Sequence, residues 1–425
     1  RSLAEHLQVS VITVESAYQQ LAAEGYVSPQ PKRGFFVNRM EQTIPPSPQT
    51  VLPAQDSVPV WKLDLSRNQT DLSRFPAATW ARLTRQVLSE DNFLSPVPHQ
   101  GLPELRQAIA EYLRHDKGMS VHPEQIVVGA GAEYLYLLLA QLFGPKAVFA
   151  VEDPGYPKIR QVYQKCGVPC RPVPLDRSGM APAALRASGA TVAHISPNHH
   201  YPTGIVTPIA RRQALLRWAE ETGSFIIEDD YDSEFRFAGR PIPTLQSIDA
   251  GSRVVYMNTF SQTIAPSMRI GFMVLPLRLL EQYRTELNFY ACTVPVMDQY
   301  VLARFLSGGH YEQHLSRMRK EYRTRRAAVL EAFHTSPFAD RVTITDQGAG
   351  LHFLLRLNTH QTDEALRRRA EEAGVRLAFL SDYTELSRFS HTLVVNYGGL
   401  DPARLPEAME LLAPLFSEPL PSATP

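Results

Sequence analysis

Lysine is scarce in this chain. Seven lysines stand among 43 basic residues, and none falls between residues 166 and 319. That long interval therefore offers no primary amine for nucleophilic or general-base work. Cysteine is scarcer still: Cys166, Cys170 and Cys292 are odd in number and include no Cys-x-x-Cys pair. A disulfide framework or a zinc ribbon is excluded, and reduced thiols of a cytoplasmic protein remain. No apolar run approaches the roughly 20 residues that a membrane-spanning helix requires. Charge of one sign is also missing, because 43 basic residues face 43 acidic ones. Whole-chain electrostatics give no attraction to nucleic acid, so any such binding rests on a local site.

What is present divides into unequal parts, as 425 residues lead one to expect. Residues 1–38 read as a short helix, a turn, a longer helix and a hairpin. Leu3, Ala4 and Leu7 stripe the first helix; Val14, Ala17, Tyr18 and Leu21 stripe the second at i, i+3, i+4, i+7. Ser10 stands where an N-cap belongs and Gly25 where the helix stops. Two short β runs then flank the basic turn Pro31-Lys32-Arg33-Gly34. Residues 39–60 hold Pro45, Pro46, Pro48, Pro53 and Pro59 among polar residues, the composition of an extended, semi-stiff linker. Residues 61–425 alternate β-rich runs with helical patterns. The expected strands include 125–128, 147–151, 192–195, 224–227 and 253–257, with a helix from Ile209 to Glu221. That alternation predicts a mostly parallel sheet covered by helices, with ligands at the carboxyl ends of its strands.

Two resemblances follow. Arg-Ser-Leu-Ala-x-x-Leu, then Val-Ser-x-x-Thr-Val-x-x-Ala-Tyr-x-x-Leu-x-x-Glu-Gly-Tyr, resemble the winged helix-turn-helix of the GntR family of bacterial transcription factors. This resemblance implies operator DNA as a partner and places the motif's first helix upstream of Arg1. Ser10 and Thr13 would enter the major groove, while Arg1, Lys32, Arg33 and Gly34 would approach the backbone. Val11 stands where that family commonly has arginine. Residues 61–425 resemble a fold-type I aminotransferase domain with a smaller C-terminal α+β subdomain, dependent on pyridoxal 5′-phosphate (PLP). The motifs are Gly131-Ala132-Glu133, Glu152-Asp153-Pro154-Gly155-Tyr156, Pro197 through Gly204, Glu228-Asp229-Asp230-Tyr231-Asp232, and Thr259-Phe260-Ser261-Gln262-Thr263. Their fusion resembles the MocR group of regulators, which implies a head-to-tail, domain-swapped homodimer.

By that resemblance Gly131 and Ala132 open a phosphate-binding helix N-terminus and Thr259 with Arg269 binds phosphate. Tyr156 would stack on the pyridine ring, Asp229 would pair with its nitrogen, and Tyr231 would bond its phenolic oxygen. Glu133 is out of place, because an anion there opposes phosphate unless its side chain turns away. Gln262 occupies the position of the Schiff-base lysine, and an amide is neither nucleophilic nor basic. Lys158 is the nearest alternative amine in sequence. Pro96 replaces a tyrosine that would reach a partner subunit's phosphate. Strand 391–397 holds no arginine to clamp a carboxylate; Arg388 lies just upstream. His199 and His200, adjacent on a loop, do not both face one ion easily, so no metal is expected. The reading is a DNA-binding regulator that senses PLP or an amine–PLP adduct noncovalently, without catalytic residues and without a membrane association. The alternative is a PLP aminotransferase with an appended DNA reader, and an engineered lysine-to-glutamine exchange would leave the same sequence.

Overall fold

The computed structural model describes residues 1–39, 60–237, 242–345, 348–386 and 389–417. Most of the proline-rich 39–60 stretch, and Arg388, lie outside the described residues. Among the described residues no helix is long and apolar enough to cross a membrane. The chain divides into two compact units, Arg1–Pro59 and Val60–Pro425.

In the first unit a helix Ser2–Leu7 is followed by a second, Val11–Ala23. Ser10 caps the second helix, its Oγ accepting from the Thr13 N–H at 3.0 Å, which satisfies one of the orphan donors of a helix start. Gly25, at φ +82°, takes the left-handed turn that ends the helix. Strands Val27–Gln30 and Gly34–Val37 pair antiparallel, and Tyr18 packs on Phe35 with ring centroids 4.9 Å apart. The hairpin tip carries exposed Lys32 and Arg33, with Lys32 itself at φ +62°.

The second unit is built on an eight-stranded sheet. Its strands lie in the order Ile126–Gly129, Gly271–Val274, Val254–Thr259, Phe225–Asp229, Val192–Ile195, Phe149–Asp153, Cys170–Asp176, Gly179–Met180. Gly271–Val274 runs antiparallel to both its neighbours, and Gly179–Met180 turns back at the far edge; the other pairings are parallel. The central strands are buried on both faces and read as continuous apolar runs, as a helix-covered sheet requires. A smaller antiparallel sheet of Val342–Thr345, His352–Leu357 and Thr392–Asn396 has its own core, closed by helices His310–His334, Asp363–Glu372 and Leu405–Phe416. The expected α/β sheet with a smaller α+β subdomain is thus the observed fold. Strand starts shift by one or two residues where the sequence reading met a loop. Gly271–Val274, unanticipated, is only four residues long and follows a turn at Arg269.

Candidate functional site

Five strands deliver their carboxyl ends to one rim of the large sheet. Gly131 follows Ile126–Gly129, Tyr156 follows Phe149–Asp153, and Asn198 to Tyr201 follow Val192–Ile195. Asp229 to Tyr231 end and follow Phe225–Asp229, while Thr259 to Gln262 end and follow Val254–Thr259. The parallel register sets Asp229 beside Met257.

Asp229 has two donors on one oxygen. The Tyr136 hydroxyl donates to Oδ2 at 2.6 Å, and His194 Nε2 lies 3.3 Å from the same atom. Among the described residues nothing bonds Oδ1, which leaves it to accept from a protonated ring nitrogen. Tyr136 comes from helix Ala132–Phe143 and His194 from the strand beside Asp229. Burial raises the Tyr136 hydroxyl well above its ordinary pKa, with the Asp229 charge adding to it, so it stays a donor. Sequence reasoning missed both residues. The signal was there: a lone histidine inside Val192-Ala193-His194-Ile195 must find a polar partner once buried.

Burial shifts three ionisable groups around this carboxylate toward their neutral forms. Burial pushes the Glu152 carboxyl up to about 8, with the Ser196 N–H opposing at 2.8 Å. Burial lowers His199 and His200 to about 3. The two histidines turn to different partners: His199 Nδ1 lies 2.9 Å from Asp232 Oδ2, and His200 Nε2 lies 3.4 Å from Glu152 Oε2. Tyr231 reaches His199 Nδ1 through its hydroxyl at 3.2 Å. Tyr156 keeps 38% of its surface exposed, enough to present a ring face, and meets Tyr201 edge-on at 6.0 Å between centroids. A cavity of about 50 Å³ behind it is lined by Glu152, His194, His200 and Tyr383, among others.

Two of the residues expected at a phosphate, Gly131 and Arg269, lie in contact. Helix Ala132–Phe143 starts at Gly131, whose φ of +85° and missing Cβ let the Arg269 guanidinium pack against it; a Cβ would sit 2.9 Å from Cζ. Arg269 is itself left-handed, at φ +50°. Thr259 ends its strand, buried, with Gly271 opposite. Glu133, however, does not turn away: its Oε2 meets Arg269 Nη2 at 2.6 Å and its Oε1 lies 3.3 Å from Lys158 Nζ. Lys158, half exposed, pairs with Glu133 and also bonds Tyr156.

Gln262 donates from Nε2 to the Asn68 carbonyl at 3.2 Å, and its buried Oε1 has no hydrogen-bond partner among the described residues. The residues therefore fit PLP at the ring nitrogen, the ring face and the phosphate frame, and do not fit it as a covalently held group. When bound, PLP supplies an electron-withdrawing ring. Asp229 would hold its nitrogen, Tyr156 its face, and Arg269 with the Gly131 turn its phosphate.

A second cluster lies under the rim. Lys117 Nζ is 3.1 Å from Glu234 Oε1 and 3.4 Å from Asp230 Oδ2, and it also bonds Ser233 Oγ. Asp230 further accepts from Tyr256 at 2.6 Å and from Asn198 at 2.8 Å. This network fixes the Asn198 loop to the strand that carries Asp229. In the first unit, Ser10 Oγ and Thr13 Oγ1 are 2.7 Å apart, so the two candidate DNA-reading hydroxyls bond each other.

Residues 60–412 match the family described as Aminotransferase class I and II. The chain is 36% identical to the uncharacterized HTH-type transcriptional regulator YhdI of Bacillus subtilis, covering 94% of this chain and 86% of that one. It is 33% identical to the HTH-type pyridoxine biosynthesis transcriptional regulator PdxR of Corynebacterium glutamicum, covering 94% and 86%. To the probable rhizopine catabolism regulatory protein MocR of Rhizobium meliloti it is 31% identical, covering 98% and 88%. Among solved structures, kynurenine aminotransferase of Pyrococcus horikoshii superposes with a TM-score of 0.74 at 25% identity, covering 85% of this chain and 91% of that one. Similarity over most of the length of these regulators, with an aminotransferase domain occupying most of the chain, shows that the chain belongs to the MocR-type family of HTH transcriptional regulators.

Proposed function

We propose that this protein is a DNA-binding transcriptional regulator whose aminotransferase-like domain senses PLP, or an amine adduct of PLP, without covalent attachment. The observation that carries the reading is Gln262. It replaces the one amine that the chemistry of this fold requires, while the groups that recognise the ring, Asp229 backed by Tyr136 and His194, are intact. A pocket that keeps recognition and loses its base suits a sensor. The relatives named as transcriptional regulators support the same role. The helix Val11–Ala23 and the Lys32-Arg33 hairpin tip would supply the DNA contacts, with Ser10, Thr13 and Arg1 at the start of the motif and Gly34 shaping the tip. Two copies in a head-to-tail, domain-swapped dimer would present two readers, and ligand binding would shift their geometry.

The test is selection from a random duplex DNA pool with the full chain, followed by binding measurements on the enriched duplex with and without PLP. A defined enriched sequence, bound with at least severalfold different affinity when PLP is added, is expected. Failure to enrich any sequence would sink the regulator reading, and identical affinity with and without ligand would sink the sensor reading.

A further inference from the structure

The phosphate frame already contains an anion. Glu133 is the second residue of helix Ala132–Phe143, where the aligned peptide dipoles favour negative charge. Arg269 at 2.6 Å and Lys158 at 3.3 Å complete a positive seat around its carboxylate. Its pKa is lowered: burial opposes this, but the Arg269 hydrogen bond, with contributions from its own backbone and from both cations, outweighs burial. The seat is rigid on the arginine side, since Gly131 packs against the guanidinium and Arg269 is held in a left-handed backbone conformation. A ligand phosphate approaching this helix start meets the same donors already engaged by a charge of its own sign.

We propose that Glu133 determines phosphate specificity in this pocket, by competing with the ligand phosphate for Arg269 and the Ala132–Phe143 helix start. The ring end discriminates by Asp229 and is indifferent to phosphorylation. The phosphate end penalises a dianion by as much as the carboxylate resists displacement. The pocket consequently favours unphosphorylated pyridine ligands, relative to a site with a neutral residue at 133. This rests on the reading above that the pocket takes PLP-type ligands.

The experiment is calorimetric titration of the full chain, Glu133→Gln and Glu133→Ala with PLP, pyridoxal and inorganic phosphate. Circular dichroism checks that each variant keeps its helix content, and Glu133→Gln preserves side-chain length if Glu133→Ala unfolds. Tightening of PLP by tenfold or more in the glutamine variant, with pyridoxal changed less than twofold, is the expected result. Equal or weaker PLP binding in the folded variants overturns the proposal, and so does pyridoxal tightening in parallel with PLP. Should neither pyridine ligand bind any of the proteins, the sensor reading is what fails. Inorganic phosphate then decides on Glu133: binding at least tenfold tighter in Glu133→Gln upholds the competition, and equal affinity refutes it.

Discussion

Replacing Glu152 by glutamine gives a pH-dependent gain that can be worked out from its surroundings. Its carboxyl is buried, Oε2 accepts from the Ser196 N–H at 2.8 Å, and His200 Nε2 stands 3.4 Å from the same oxygen. His200 is lowered to about 3 by burial, so it is neutral and does not supply a balancing charge. Burial raises Glu152 from 4.5 to about 8. Below 4.5 both the folded and the unfolded chain carry the proton and nothing is lost. Between 4.5 and 8 the unfolded chain ionises while the folded one keeps its proton, so stability declines as pH rises. Above about 8 the full penalty is reached. At about 1.4 kcal/mol per unit, 3.5 units correspond to roughly 5 kcal/mol, an upper figure for a site that can relax. A glutamine keeps a carbonyl oxygen for the Ser196 N–H and carries no charge at any pH, so it stands in for the protonated acid. Urea melts of both proteins at pH 5, 6, 7 and 8 isolate this group, because the remaining titrations cancel in the difference. The Glu152→Gln chain should gain steadily on the parent across that range, by a few kcal/mol in all. A difference that stays flat from pH 5 to 8 would refute the assignment of a buried, protonated Glu152.

Two other perturbations follow from the site. In Gln262→Lys, PLP followed by borohydride should leave a covalent mass increment that the parent chain lacks; its absence would mean that the ring aldehyde is not seated beside residue 262. Lys117→Met strands Asp230 and Glu234, whose side chains have no exposed surface, and should cost about 3–5 kcal/mol in urea melts, with a loss under about 1 kcal/mol contradicting the described network.

Much of the large domain was legible because its strands are apolar on both faces and its helices amphipathic; Val192–Ile195 emerges with the same ends in both readings. The positions of Gly131 just after one strand and of Asp229 at the end of another were legible, because the motifs that resemble the aminotransferase family stand at strand ends. Three things were not. The Gly271–Val274 strand is too short to show a period, and its antiparallel direction depends on the tight turn at Arg269. The direction of Glu133 is decided by an arginine 136 positions away, which no local pattern reports. The donors behind Asp229 come from a helix and a neighbouring strand whose residues look like ordinary core until the buried polar atoms are matched with partners.

The contact between Gln262 and Asn68 has a mechanical side. A lysine at that place would be a group that exchanges partners, holding the ligand and releasing it in turn. The amide instead is a fixed rung, joining segments 194 positions apart through a single hydrogen bond to a main-chain carbonyl. Its buried Oε1 has no partner among the described residues. A ligand that offers a donor to that oxygen, or takes the N–H for itself, either tightens the rung or cuts it. Residue 262 therefore ties the loop after Val254–Thr259 to the start of the domain through the main chain, where a lysine would have been free to let go.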